Sequence, residues 1–190
     1  MMRIITGRAR GTKLFSLEGL NTRPTAERTK EAVFSMIQNE IQSKCVLDLF
    51  AGSGQMGLEA LSRGAERASF VDNSKQAVEI IRKNVTKTHL NDVSEVALSG
   101  YAEYLKRVKG IRKFDLVFLD PPYASDFIGN AIEKLVDYEL LNDGAIVVCE
   151  SGSEETVKEC PTVKKKFEIK KQAKYGIAFV TIIKYGKEEE

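Results

Sequence analysis

The chain has 190 residues, 43% hydrophobic and 29% charged, with a formal net charge of +2; this is the balance of one soluble globular domain with a continuous core. No run reaches the ~18 consecutive apolar residues of a membrane span, and the basic N-terminus lacks the apolar stretch of a secretory signal. Three widely spaced cysteines exclude a CxxC metal site and are typical of reduced thiols, so we predict a cytoplasmic protein.

Basic residues are concentrated towards the two ends of the chain, despite the small net charge. Residues 1–30 hold seven bases against two acids, and residues 158–174 hold seven lysines against two acids. A third cluster, over residues 106–113, has five bases and no acid. Each cluster alone could be a solvated surface, but basic ends on a near-neutral chain favour a nucleic-acid partner.

The first 20 residues are predicted to form a basic β-hairpin extension. Residues 3–6 and 12–15 have the composition of short strands, and they flank the turn sequence Gly7-Arg8-Ala9-Arg10-Gly11. A loop is expected over residues 17–23. Thr25 is then predicted to cap a helix that runs to about Ile41.

From residue 45 onwards, apolar strands alternate with amphipathic helices. The predicted strands are 45–50, 68–72, 93–98, 114–119 and 145–149, with helices over 56–63, 75–88, 102–108 and 127–138. This alternation predicts a parallel sheet covered on both faces. Residues 166–172 and 177–184 are predicted to add a C-terminal antiparallel hairpin. The expected α/β fold is therefore a Rossmann-like, doubly wound, seven-stranded and mostly parallel sheet over residues 21–186, with a disordered tail at 187–190.

The stretch VLDLFAGSGQMG, residues 46–57, contains a G-x-G-x-x-G pattern preceded by Asp48. Glycines between a strand and a helix let a ligand approach unpaired backbone N–H groups. With NAD, a pyrophosphate would lie there; with S-adenosylmethionine, Asp48 would face the ammonium group. Asp72, 20 residues after Gly52, suits the ribose hydroxyls of either cofactor. The turn alone does not distinguish NAD from S-adenosylmethionine. It also does not exclude a turn that serves only helix–strand packing.

The sequence Asp120-Pro121-Pro122-Tyr123 follows the fourth predicted strand. Two prolines remove two N–H donors, which leaves the Asp120 carboxylate and the Pro121 carbonyl as acceptors. These acceptors suit an exocyclic amino group, whose lone pair they would direct at an electrophile, and Tyr123 offers a stacking face. A rigid turn with an exposed tyrosine is the alternative. Because hydride transfer has no use for such a corner, this motif favours S-adenosylmethionine over NAD.

Residues 48–54 (DLFAGSG) and 120–123 (DPPY) resemble the cofactor and catalytic motifs of class I amino-methyltransferases. Residues 3–14 (RIITGRARGTKL) and 22–37 (TRPTAERTKEAVFSMI) resemble, more specifically, the bacterial 16S rRNA (guanine-N2)-methyltransferase D family. The likeness extends from residue 3 to about residue 184. It implies a class I methyltransferase that uses S-adenosylmethionine without a metal and methylates guanine N2 in 16S rRNA of an assembling or assembled small subunit.

Motif chemistry and resemblance together assign three groups of site residues. The catalytic group is Asp120, Pro121, Pro122 and Tyr123; the cofactor group is Asp48, Phe50, Gly52, Gly54, Asp72, Tyr101 and Thr25; the RNA-binding group is Arg3, Arg8, Arg10, Lys13, Arg23 and Arg28. The sequence departs from the class at Gly100, where an acidic or amide side chain commonly meets the adenine amino group. Backbone groups near Tyr101 are expected to replace it. Arg23 and Thr25 could equally serve only to start a helix.

Other functions remain open at the level of sequence. The catalytic motif does not distinguish guanine N2 from adenine N6, so an adenine-N6 methyltransferase on DNA or RNA is the nearest alternative. An RNA-binding assembly factor with a vestigial cofactor site is another, and a nicotinamide oxidoreductase is the third. A monomer is expected, with no membrane partner.

Overall fold

The computed structural model of the chain describes residues 2–17, 24–122 and 126–186. Within them the strands are β1 (Cys45–Asp48), β2 (Arg67–Asp72), β3 (Ser94–Leu98), β4 (Phe114–Leu119), β5 (Leu141–Ser151), β6 (Phe167–Tyr175) and β7 (Ala178–Tyr185). The helices are α1 (Pro24–Met36), α2 (Gln55–Ser62), α3 (Lys75–Lys87), α4 (Tyr101–Val108), α5 (Phe127–Asp137), α6 (Glu155–Lys158) and α7 (Pro161–Lys166), with 3-10 turns at Gln38–Glu40 and Asn91–Val93. In the described part of the chain, none of the helices is long and apolar enough to span a bilayer.

All seven strands form one sheet in the order β3-β2-β1-β4-β5-β7-β6. Strands β1 to β5 pair in parallel, whereas β7 is antiparallel to both β5 and β6. The predicted doubly wound, mostly parallel sheet with a C-terminal antiparallel hairpin is therefore confirmed. The chain changes direction across the sheet between β1 and β4, which is where open α/β sheets bind ligands.

Alternate residues of the central strands enter two separate cores. Along β4, Leu116 and Phe118 pack on the face that carries α1, α2 and α3, where Phe34 is also buried. Val117 and Leu119 point to the opposite face, which is covered by α4 and α5. Because the strands are buried on both faces, they are apolar at nearly every position, which is the pattern that a parallel sheet requires.

The first helix differs from its prediction at both ends. It begins at Pro24, so Thr25 lies inside the helix and is not its cap. Proline is favoured at the first helical position, because its fixed φ suits the helix and its missing N–H costs no hydrogen bond there. The helix ends at Met36, and the 3-10 turn Gln38–Glu40 replaces the predicted last turn before Ile41.

The N-terminal extension forms the predicted hairpin, with less regular strand than expected. Residues 2–17 form a hairpin-shaped loop with one antiparallel bridge, between Arg3 and Lys13, and no regular strand. The backbone N–H groups of Ile5 and Thr6 donate to Glu59 of α2 instead of to a partner strand. The predicted hairpin is therefore present, with Ile4 N donating to Thr12 O and Leu14 N to Met2 O, but its two arms are shorter than the predicted strands 3–6 and 12–15.

Glu59 anchors this extension to the body of the protein. Its carboxylate is fully buried and accepts from Ile5 N at 2.8 Å, from Thr6 N at 3.0 Å and from Arg63 Nε at 2.8 Å. Lys30 Nζ lies 3.9 Å away. A buried charge is tolerated when it is paired and hydrogen-bonded in this way.

Ser62, at the end of α2, fixes the tip of the extension. Its carbonyl accepts from Arg8 N at 2.9 Å, and its hydroxyl accepts from Ala9 N at 2.9 Å while donating to Thr6 O at 2.6 Å. Gly7 has a φ of +87°, and a Cβ there would lie 1.8 Å from the Ser62 carbonyl oxygen. The basic turn can therefore dock on α2 only with glycine at this position.

We predict that Gly57→Ala lowers the free energy of unfolding by about 1–3 kcal/mol, as overpacking of a core does. A Cβ at Gly57 would lie 2.4 Å from Cε1 of Phe70 in β2. Urea denaturation measures the change. The matched control is Gly129→Ala in α5, whose Cβ would meet Cys160 Sγ at 4.0 Å and which should gain about 0.5–1 kcal/mol. Equal stability of Gly57→Ala and the unmodified protein would contradict this packing role.

Candidate active site

Three carboxylates from adjacent strands meet at the carboxyl edge of the sheet. Asp48 ends β1 and pairs with Phe70 of β2 and Phe118 of β4, while Asp72 ends β2. Asp120 follows β4 directly. Since β2, β1 and β4 are neighbours in the sheet, the structure brings the two predicted motifs to one place.

The glycine turn connects β1 to α2 in a conformation that requires glycine. Gly52 has a φ of +56° and Gly54, the residue preceding α2, a φ of +77°. A Cβ at Gly52 would meet no atom of the described residues within 4 Å, so among them its backbone faces open space that a ligand can enter. Gly54 packs against Ile81 and Phe70. The first glycine therefore suits ligand approach, and the second serves packing as well.

Asp48 is a buried carboxylate beneath this turn. Only 4% of the residue is exposed, and its Oδ2 accepts from Gly57 N at 3.0 Å. Burial raises the pKa of Asp48 to about 7; the Gly57 hydrogen bond opposes this shift, and the negative charge of Asp72 adds to it. A cation bound next to Asp48 would favour the ionised form again.

Asp72 holds the glycine turn and the start of α3 together. Its Oδ2 accepts from Gly52 N at 2.9 Å, and its Oδ1 accepts from Ser74 N at 2.9 Å. Each carboxylate oxygen has two lone pairs, so both oxygens retain capacity for hydroxyl donors. The position at the end of β2 is the one that the sequence predicted for a ribose-binding acid.

Phe50 and Tyr101 belong to a cluster of three aromatic rings at the same edge. Their ring centroids are 5.4 Å apart, and Phe127, the first residue of α5, lies 5.9 Å from Phe50 and 5.5 Å from Tyr101. All three are partly exposed. The sequence prediction missed Phe127. Its place at the helix start just after the catalytic motif is the signal that could have revealed it.

Asp120 lies at the mouth of a pocket between α1 and the carboxyl ends of β4 and β5. Its side chain reaches solvent on one side. The surrounding protein still raises the pKa of Asp120 well above its usual range, and the charges of Glu150 and Asp48 raise it further. Pro121 is buried and Pro122 is exposed. Tyr123 lies outside the described residues.

This pocket has a volume of about 90 Å³ and a mixed apolar and polar lining, of which the sequence predicted only Asp120 as a site residue. Its polar residues are Thr29, Lys30, Gln55, Asp120 and Glu150. Lys30 is buried, donates from Nζ to Arg3 O at 2.6 Å, and has a pKa lowered by burial, which the charge of Glu59 opposes. Lys30 lies within the predicted first helix and Glu150 directly follows the predicted strand 145–149, and neither belongs to a motif that the sequence analysis assigned.

The predicted RNA-binding residues lie away from the edge of the sheet that carries Asp48, Asp72 and Asp120. Arg8 and Arg10 are exposed in the turn that docks at the end of α2, and Lys13 follows on the returning strand of the loop, also exposed. An eight-residue helix is about 12 Å long, so the turn is roughly that far from Gly54. Arg3 pairs with Glu27 at 3.1 Å, Arg28 is exposed, and Arg23 and the Thr25 side chain lie outside the description.

Comparisons with known proteins agree with this geometry. The family described as Conserved hypothetical protein 95 matches residues 2–184. Ribosomal RNA small subunit methyltransferase D from Haemophilus influenzae is 38% identical over 152 residues, which cover 79% of this chain and 78% of that protein. The solved structure of yhhF from Escherichia coli is 31% identical, covers 98% of both chains and has a TM-score of 0.84.

A more distant structure shares the fold alone. SMU.776, solved in complex with S-adenosylhomocysteine (SAH), is 17% identical, with a TM-score of 0.68 over 81% of this chain and 48% of that one. Its likeness agrees with a Rossmann-like class I methyltransferase fold. On the match to residues 2–184 and the 38% identity, the chain belongs to the Conserved hypothetical protein 95 family, the family of the ribosomal RNA small subunit methyltransferases D.

Proposed function

We propose that this methyltransferase transfers a methyl group from S-adenosylmethionine to the exocyclic N2 of a guanine in 16S rRNA of the small ribosomal subunit. The proposal rests on one observation. The turn that follows Asp48 and the corner formed by Asp120 and Pro121 lie next to each other, at the ends of two adjacent parallel strands. Such an edge is where a doubly wound sheet binds ligands. The rRNA substrate is inferred from the relative whose name states it.

The charges at this edge favour S-adenosylmethionine over NAD. Asp48, Asp72 and Asp120 make the edge negative, and two of them have raised pKa values because burial and mutual repulsion oppose their ionisation. A pyrophosphate would add to this repulsion, whereas an ammonium and a sulfonium relieve it. When bound, S-adenosylmethionine supplies a methyl group on a cationic sulfur.

The cofactor contacts follow the predicted roles. Asp48 takes the ammonium and Asp72 the ribose hydroxyls, with Gly52 and Gly54 allowing close approach of the chain. Backbone groups near Tyr101 hold the adenine, the Phe50 ring lies beside the cofactor, and Thr25 approaches the methionine end or the entering nucleotide. Support for these assignments comes from the open space at Gly52 and the partly exposed aromatic rings.

Transfer then depends on acceptors that orient the amine. The Asp120 carboxylate and the Pro121 carbonyl accept the two N2 hydrogens, so the nitrogen becomes pyramidal and its lone pair points along the line of transfer. Tyr123 stacks on the base, which is unstacked in a loop or flipped out. The ionised Asp120 stabilises the positive charge that develops on nitrogen as the bond to the methyl group forms and the sulfur–methyl bond breaks, and the nitrogen then releases a proton to solvent. Positioning of this kind supplies roughly 7–11 kcal/mol of barrier reduction.

Asp120→Ala should abolish methyl transfer, by at least about 100-fold, because an unoriented amine keeps its lone pair in the ring. The assay uses labelled S-adenosylmethionine and small subunits that lack the modification, followed by nucleoside analysis. We expect N2-methylguanosine from the unmodified protein and from the control Asp137→Ala, an exposed acid at the end of α5. S-adenosylmethionine binding should survive in Asp120→Ala. N6-methyladenosine as the product would contradict the guanine assignment.

The affinity for S-adenosylmethionine should fall as the pH drops below 7. Asp48 has a pKa of about 7 and must be ionised to attract the ammonium group, so its protonation at lower pH removes the attraction. We expect a loss of affinity of about tenfold per pH unit below 7, measured by calorimetry between pH 8 and pH 5.5. Asp48→Asn should bind weakly at both pH values and lose most of this dependence. An identical pH dependence in both proteins would remove the assigned role of Asp48.

Replacing Arg8, Arg10 and Lys13 together by alanine should weaken RNA binding most at low salt. Each lost phosphate contact reduces the slope of log affinity against log salt by about 0.7 for single strands. Filter binding of small-subunit rRNA at several salt concentrations measures the slope. Lys184→Ala, an exposed base of β7, four strands away from β2 and the basic turn, is the control and should leave the slope unchanged. An unaltered slope in the triple variant would exclude these residues from RNA binding.

A further inference from the structure

Asp120 has a second carboxylate beside it, on the neighbouring strand. Leu119 of β4 pairs with Cys149 of β5 in parallel register, so the next residues, Asp120 and Glu150, lie side by side. Neighbouring strands are about 4.8 Å apart. Both residues leave the strands towards the α1 side, because Leu119 and Cys149 point to the opposite core. Both therefore line the same pocket.

Two neighbouring carboxylates form an arrangement that binds two neighbouring donors. Each oxygen of an ionised carboxylate accepts hydrogen bonds and donates none. Their mutual repulsion contributes to the raised pKa of Asp120, a cost that functional sites commonly carry. Glu150 also interacts with protein groups, and the several lone pairs of a carboxylate leave it able to accept a further bond.

The Watson–Crick edges of guanine and adenine differ at this second position. In guanine, the N2 amine lies next to N1, which carries a hydrogen. In adenine, the N6 amine lies next to an N1 that carries a lone pair and no hydrogen. With either amine on Asp120, the adjacent ring nitrogen faces the neighbouring carboxylate. Guanine then donates a charge-assisted hydrogen bond, whereas adenine places a lone pair against a negative charge.

We propose that Glu150 is a specificity-determining residue that accepts the N1–H of the target guanine while Asp120 accepts from the N2 amine. The assignment rests on the proposed guanine-N2 function. It explains the preference for guanine over adenine, which the catalytic motif alone does not explain. Sites that form a hydrogen bond with one substrate reject an analogue that lacks it, because their own polar group is left unpaired.

The test is a substrate that keeps the amine and lacks the N1 hydrogen. 2-Aminopurine has the N2 amine of guanine and an unprotonated N1. Small subunits are reconstituted with 16S rRNA that carries either guanine or 2-aminopurine at the position methylated by the unmodified protein. Single-turnover rates are measured for the unmodified protein, for Glu150→Gln, and for the matched control Glu133→Gln, an exposed glutamate of α5. Unfolding midpoints and S-adenosylmethionine affinities verify that each variant is intact.

Glu150→Gln should lower the rate on guanine by about 10- to 100-fold, which is the range for losing a charge-assisted hydrogen bond. The rate on 2-aminopurine should not fall, because the amide can turn its NH₂ towards the unprotonated N1. Glu133→Gln should match the unmodified protein on both substrates. If Glu150→Gln does not fold, Glu150→Asp replaces it, since it retracts the carboxylate by one methylene and should show the same selective loss.

Two results would overturn the role of Glu150. An equal loss on both substrates would mean that Glu150 acts through Asp120 or through the fold, because Asp120 meets the same amine in each case. No loss on either substrate would mean that it makes no contact. Failure of the unmodified protein to form N2-methylguanosine is a separate outcome, which overturns the proposed function and this assignment with it.

Discussion

The parallel pairing of β1 between β2 and β4 is the constraint on which the rest of the site depends. It places Asp48, Asp72 and Asp120 at one edge of the sheet, where each carboxylate ends or follows a different strand. The surrounding protein raises the pKa of Asp48 and of Asp120, and the negative charges of the neighbouring carboxylates raise both further. A cationic methyl donor offsets these negative charges, so cofactor choice follows from the topology of the strands.

Buried polar side chains connect this edge to the basic extension. Asn84 of α3 is fully buried; its amide donates to Phe15 O and Ser53 O, each at 2.9 Å, and its oxygen accepts from Phe15 N at 2.7 Å. Glu59 anchors the other arm of the extension. Because such groups are costly to bury without partners, they specify one position for the extension. The proposed RNA-binding turn and the chemical site therefore form one rigid unit.

The sequence predicted those parts of the fold that depend on local pattern. Apolar strands alternating with helices gave the sheet, and Asp48 and Asp120 were recognisable because each lies in a short motif. The N-terminal hairpin has shorter arms than predicted because Ile5 N and Thr6 N donate to Glu59, which is 53 or more residues away in the chain. Thr25 was misplaced as a cap because the proline before it suits the first helical position.

Glu150 and Lys30 were missed for a related reason. Lys30 lies within the predicted first helix and Glu150 directly follows the predicted strand 145–149, and the packing of α1 against β4 and β5 shows that both face the Asp120 pocket. Helices α6 and α7, of four and six residues, are too short to give a periodic signal. Polar positions of this kind become functional candidates only when the strand register is known.

Methyl transfer requires the corner formed by the Asp120 carboxylate and the Pro121 carbonyl to lie within reach of the sulfur of the bound cofactor. A crystal structure with SAH measures this directly, as the distance from the SAH sulfur to the Asp120 carboxylate. A hydrogen bond of about 3 Å and a transfer distance of about 3–3.5 Å predict a separation of roughly 7 Å or less, with the sulfur facing the pocket. SAH bound elsewhere, or with its sulfur turned away from Asp120, would contradict the account.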